Sequence, residues 1–173
     1  MRVANGWQAD KRWSDTFLPE IKGILGLHLI GEPPIEEDAE RNTDLMVLRM
    51  EAVRIGCRIR RFDALKYLAE FTIRAGRPSG VKTELTKVIE GWGDYFFYGF
   101  GDSEGRNLHA WTLADLRVFR RWYMAELFEN DRRKAPGSKQ NNVDGSSYFY
   151  AYKWRDLPPD FVVASSRVEL SNG

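Results

Sequence analysis

Apolar and polar residues alternate most regularly between Arg41 and Gly99. Asp44-Leu45-Met46-Val47-Leu48-Arg49-Met50 has a period of two with an acid at its start. In Val53 to Arg60, Val53, Ile55, Cys57 and Ile59 alternate with Arg54, Arg58 and Arg60. Successive side chains of a strand point to opposite faces, so one face is apolar and the other cationic. Tyr67 to Arg74 repeats the pattern, with Tyr67, Ala69, Phe71 and Ile73 opposite Leu68, Glu70, Thr72 and Arg74. After the breaker Gly76-Arg77-Pro78-Ser79-Gly80, the apolar positions Val81, Leu85, Val88 and Trp92 recur at helical spacing. They predict a short helix from Val81 to Glu90, stopped by Gly91. Tyr95 to Phe100 is apolar on both faces and predicts a covered strand. A strand, helix, strand order predicts a right-handed crossover between parallel neighbours.

The flanks are less regular. Trp7 and Trp13 mark an N-terminal segment that docks, and Phe17, Ile21, Ile24, Leu25 and His28 give a helical face after the cap oxygens of Ser14 to Thr16. Pro19 is tolerable in a first turn, and Glu20 sits near the edge of the apolar face. Glu32-Pro33-Pro34 ends that helix, and Ile35 to Arg41 reads as a solvated acidic connector. Downstream, Thr112 and Asp115 resemble a capping box opening a helix over 112–129, with a packing stripe of Leu116, Phe119, Tyr123 and Leu127. Residues 130–147 are polar and predict a long mobile loop. Residues 148–154 predict an aromatic strand at a sheet edge, and Phe161 to Val163 a short strand. The expected architecture is a single α/β domain over 1–173, a mixed sheet flanked by helices, with its core at 14–100.

Composition narrows the function classes. The chain has 173 residues, 43% hydrophobic and 13% aromatic, enough for one full core. A net charge of +1 gives no bulk case for nucleic acid, so any cationic surface is local, and the strand arginines are the place for it. No secretory h-region and no long apolar run is present, which predicts a cytoplasmic protein that does not contact a membrane. The lone cysteine, Cys57, excludes an intramolecular disulfide and a cysteine-rich zinc site, and its strand face predicts burial. His28 and His109 suggest no joint site, and the 76–80 loop lacks the Gly-Lys-Ser/Thr ending of a phosphate loop.

The order helix, three strands, helix, strand, with acids at Glu20, Asp44 and Glu70, resembles the PD-(D/E)XK, restriction-endonuclease-like nuclease superfamily. The resemblance covers roughly residues 14 to 100 and rests on topology and scattered acids. It implies an αβββαβ core and hydrolysis of DNA or RNA phosphodiesters with Mg²⁺ or Mn²⁺, as in small cytosolic proteins of phages or mobile elements. Carboxylates that hold such an ion against a phosphate neutralise the transferring group and activate water. On this resemblance Asp44, Glu70 and Glu20 are the metal ligands, joined by the Phe71 carbonyl. Asp44, Glu70, Arg74 and Lys82 form the catalytic set, and Arg54, Arg58 and Arg60 bind nucleic acid.

The chain also departs from that pattern. The family's lysine position holds Thr72 and its proline position holds Thr43, leaving Arg74 or Lys82 to supply the charge. Arginine is a poor general base. Glu51 is an alternative first acid, and in a further alternative register Arg58-Ile59-Arg60 occupies the acid-X-lysine place, which leaves the site a ligand short. Two further readings therefore stand beside the nuclease. One is a non-catalytic protein that binds nucleic acid or an acidic partner with its arginine face. The other is an assembly protein in which Glu70 simply pairs with Arg58 or Arg60 across strands. A monomer and a homodimer both stay open.

Overall fold

The computed structural model describes residues 3–29, 53–130 and 134–166, which belong to two compact units, 1–53 and 54–173. The strand expected at 44–50, with Asp44, and the alternative acid Glu51 lie outside the described residues.

In the first unit, helix α1 spans Val3–Asp15 and helix α2 spans Leu18–Leu29. The N-terminal segment is thus helical rather than merely docked. Lys11 pairs with Asp15 one turn on, at 2.7 Å. Trp13 meets Phe17 edge to face, 5.1 Å between ring centres, across the turn that separates the helices. Pro19 falls in the first turn of α2, where its missing donor costs nothing. Of the expected apolar face, Phe17 and Ile21 are fully buried. Glu20 is exposed in that first turn.

The second unit holds two sheets. Strands β1 (Ile55–Arg60), β3 (Tyr95–Gly101), β4 (Leu108–Asp115) and β7 (Val162–Ser165) form one, in the order β1-β3-β4-β7. Strands β2 (Glu70–Gly76), β6 (Tyr148–Lys153) and β5 (Ser138–Asn141) form the other, in the order β2-β6-β5. Helix α3 (Glu84–Ile89) packs on β2, and helix α4 (Leu116–Glu129) follows β4. The mixed α/β class is as expected, with a mixed sheet and flanking helices.

Its wiring differs in four respects. First, the parallel partner of β3 is β1, not the strand that immediately precedes the short helix. Period-two alternation identifies a strand but says nothing of which sheet takes it, and β2 pairs antiparallel with β6 instead. Second, β2 starts at Glu70 because Phe62–Tyr67 forms a 3-10 helix. Third, Thr112 lies inside β4, and the helix begins after Asp115, whose carboxylate accepts from the Arg117 amide at 2.8 Å. Asp115 alone makes the cap. Fourth, the polar stretch expected to be loose contributes β5, so β6 is the central strand of its sheet rather than an edge.

Helix α3 is shorter than its periodicity suggested. Val81 and Trp92 lie outside it, with Trp92 60% exposed, so only Leu85 and Val88 pack. Gly91, at φ +94°, ends it in a conformation that side chains disfavour.

The two sheets enclose an aromatic core centred on Phe71 of β2. Its ring meets Phe96 and Tyr98 of β3, Phe119 of α4, Tyr152 of β6, Trp154 and Phe161, all with centres 5.4 to 6.1 Å away. Aromatic rings of this kind bury large areas and favour tilted and edge-to-face geometry.

Candidate functional site

Register decides where the arginines of β1 point. Arg58 lies beside Tyr98 and Arg60 beside Phe100 in the parallel ladder. Laterally paired residues share a sheet face, so both arginines are turned toward the second sheet rather than left on an open surface. They are half-buried. On the opposite face Ile59 is buried, but Cys57 is exposed, contrary to expectation. Partial burial nevertheless raises its thiol pKa, the reverse of what a reactive thiolate needs.

Arg58 is held by three groups. Its Nη1 donates to the Thr72 carbonyl at 2.9 Å and to Thr72 Oγ1 at 3.4 Å, and its Nη2 forms an ion pair with Glu84 Oε2. The same Glu84 oxygen accepts from the Arg74 backbone amide at 3.1 Å. The alternative pairing of Glu70 with Arg58 or Arg60 is not made among the described residues.

Arg60 is positioned differently. Its guanidinium lies 5.3 Å from the Tyr67 ring centre and 5.9 Å from that of Phe100, and Nη1 donates to the Tyr98 hydroxyl at 3.3 Å. That hydroxyl shares a 2.8 Å hydrogen bond with Thr72 Oγ1. Thr72, where the nuclease resemblance wants a lysine, is therefore a buried tie between the sheets.

Beside these residues lie two adjoining hollows of about 260 and 390 Å³. Both are lined by Arg60, Thr72, Asn142 and Phe149. Arg58 and Arg74 add to the first, and Tyr67, Glu70 and Gln140 to the second. Neither Arg60 nor Arg74 forms an ion pair among the described residues. Burial lowers the Arg74 pKa from its ordinary value; Glu84 and Asp144 oppose the shift, and the positive charges of Arg77 and Arg58 add to it. Arginine stays ionised at neutral pH all the same. The cleft therefore carries positive charge that its own carboxylates do not fully match.

The other sequence candidates stand apart from this cleft. Arg54 precedes β1, exposed, with its guanidinium 5.8 Å from the Trp92 ring centre and its backbone amide bonded to Asp94. Lys82 pairs with Glu90 at 2.7 Å, ahead of α3. Glu20 belongs to the first unit. Glu70 does line the cleft, and Arg74 faces it, but Asp44 lies outside the described residues. Among the described residues no three histidine, cysteine or acidic side chains come together as a metal site. Gln140 and Asn142 went unnoticed in the sequence, because the polar stretch 130–147 gives no periodic signal, whereas Phe149 belongs to the aromatic strand expected at 148–154.

Comparison of the chain with family models, curated proteins and solved structures finds no match. Among the described residues no helix is long and apolar enough to cross a membrane.

Proposed function

We propose that the protein binds nucleic acid through the cleft between β1 and the β2-β6-β5 sheet. The observation that carries this reading is the pair Arg60 and Arg74, two guanidiniums that form no ion pair among the described residues, lining one polar hollow. Arg60 is held in place by two rings and a hydroxyl, so little side-chain entropy is lost when it engages a ligand. A planar guanidinium presents paired donors that match two phosphate oxygens. Amides at Asn142 and Gln140 and rings at Tyr67 and Phe149 supply the hydrogen bonds and stacking surfaces that bases use.

The nuclease reading needs more carboxylates than the described cleft contains. Glu70 is one oxygen ligand, and a divalent ion of the Mg²⁺ type requires companions. The described residues alone do not fit that ion. Lys82 is paired with Glu90, which leaves Arg74 as the candidate for the catalytic charge.

The test is retention of labelled DNA and RNA by the wild type, by the double variant Arg60→Gln/Arg74→Gln, and by Lys82→Gln as a control outside the cleft. Binding retained in the control and lost in the double variant supports the reading; equal binding by all three refutes it. Adding Mg²⁺ or Mn²⁺ to the same samples tests catalysis. Cleavage that disappears in Glu70→Gln would replace the binding reading with the nuclease.

A further inference from the structure

We infer that the cleft takes a single strand, seating one unpaired base against Tyr67 while Arg60 and Arg74 hold the flanking phosphates. This rests on the nucleic-acid reading above and narrows its ligand.

Size points first to a single strand. The two hollows, about 260 and 390 Å³, lie just below and just inside the lower end of the range for small-ligand pockets. A duplex is far too wide to enter, and from outside it presents only its phosphates to Arg60 and Arg74. A splayed nucleotide fits.

Wall chemistry points the same way. Tyr67 is 43% exposed and stands at the rim, with Arg60 against its ring and the Lys66 ammonium 5.2 Å from the ring centre. An aromatic ring backed by a guanidinium is a stacking platform for a base whose own partner strand is absent. Gln140 and Asn142 both line the cleft; each amide nitrogen donates one hydrogen bond within the protein, to Ser138 and Ser147, and the remaining N–H and the amide oxygen match the donor and acceptor edges of an unpaired base. In a duplex those edges are already paired. Glu70 lines the same hollow as Tyr67, and its carboxylate disfavours a phosphate there, so the backbone runs on the Arg74 side and the base on the Tyr67 side.

The experiment compares fluorescence anisotropy of labelled oligo-dT and of a blunt duplex of equal length, for wild type, Tyr67→Leu and Tyr67→Trp, each checked for folding by circular dichroism. Oligo-dT should bind at least about tenfold more tightly than the duplex, and Tyr67→Leu should weaken it on the order of tenfold, the usual effect of losing one stacked base. Tyr67→Trp should restore it, since the indole keeps both the stack and the support of Arg60. Equal or tighter duplex binding, or indifference to Tyr67→Leu, overturns the single-strand inference while leaving the nucleic-acid reading intact. No binding of either probe refutes both.

Discussion

Arg58 and Glu84 together occupy the open edge of β2, one bonding the Thr72 carbonyl and the other the Arg74 amide. The Trp154 amide donates to the Ala69 carbonyl at 3.0 Å, which fixes the phase of the β2-β6 ladder. In that phase the backbone groups of Thr72 and Arg74 point away from β6, where no strand follows among the described residues. The ion pair supplies the donor and the acceptor that a neighbouring strand would have provided. An unpaired edge invites pairing with other chains, and here side chains close it.

Removing Glu84 should therefore cost more than a surface ion pair. Glu84→Ala leaves the half-buried Arg58 charge and the Arg74 amide without their acceptor, an expected loss of about 2 kcal/mol. Chemical denaturation of Glu84→Ala, Arg58→Met and the double variant measures it. The two single losses should fail to add, with a coupling of about 1 kcal/mol or more. Additive effects would mean that the pair is only a surface contact.

The Tyr152 hydroxyl is buried with no hydrogen-bond partner among the described residues. An unsatisfied buried hydroxyl is destabilising, so Tyr152→Phe should keep the ring packing against Phe71 and Phe119 and leave stability unchanged or raised by up to about 1 kcal/mol. Thermal denaturation distinguishes this from a loss, which would reveal a bond that the hydroxyl makes.

Alkali should loosen the same region. Burial, with Tyr150 and Tyr148 nearby, pushes the Tyr123 hydroxyl up from its ordinary 10.0 to about 12. A folded-state pKa above the unfolded one gives stability that is whole below pH 10 and falls as pH rises toward the folded value. Stability should drop between about pH 10 and pH 12, and Tyr123→Phe should flatten part of that fall. An identical alkaline profile in the variant would assign the fall to other groups.

At the acid end, Asp115 behaves oppositely. Burial raises its carboxyl pKa, but hydrogen bonds from the Arg117 side chain and amide outweigh this and hold it below its ordinary value of 3.8. The ionised cap therefore contributes stability above that value, which is lost as pH falls through the lower folded-state pKa. Asp115→Ala should cost about 1 kcal/mol at neutral pH, typical of a helix cap, and the difference from wild type should shrink in acid. A constant difference would point to packing rather than charge.

Much of this fold is legible in the sequence, and the failures have identifiable causes. The alternation of β1 and the unbroken aromatics of β3 report strands directly, because each reflects which faces are covered. β4 was obscured by Thr112 and Asp115, which mimic a capping box, and β5 by its four exposed polar residues. Assigning β2 to a second sheet depends on pairing with β6, about eighty residues downstream, which no local pattern encodes. For the site, the common face of Arg58 and Arg60 followed from period two, as did Arg74. That Arg58 is consumed by Glu84 did not, since it requires the helix after β2 to return beside β1.

The most direct test of the cleft as a nucleic-acid site is the salt dependence of oligonucleotide affinity for wild type, Arg60→Gln and Arg74→Gln. Each phosphate contact on a single strand contributes about 0.7 to the slope of log affinity against log salt. Each variant should weaken binding and lower that slope by about 0.7. Affinity that is insensitive to salt, or slopes unchanged by either substitution, would contradict a phosphate role for these two arginines.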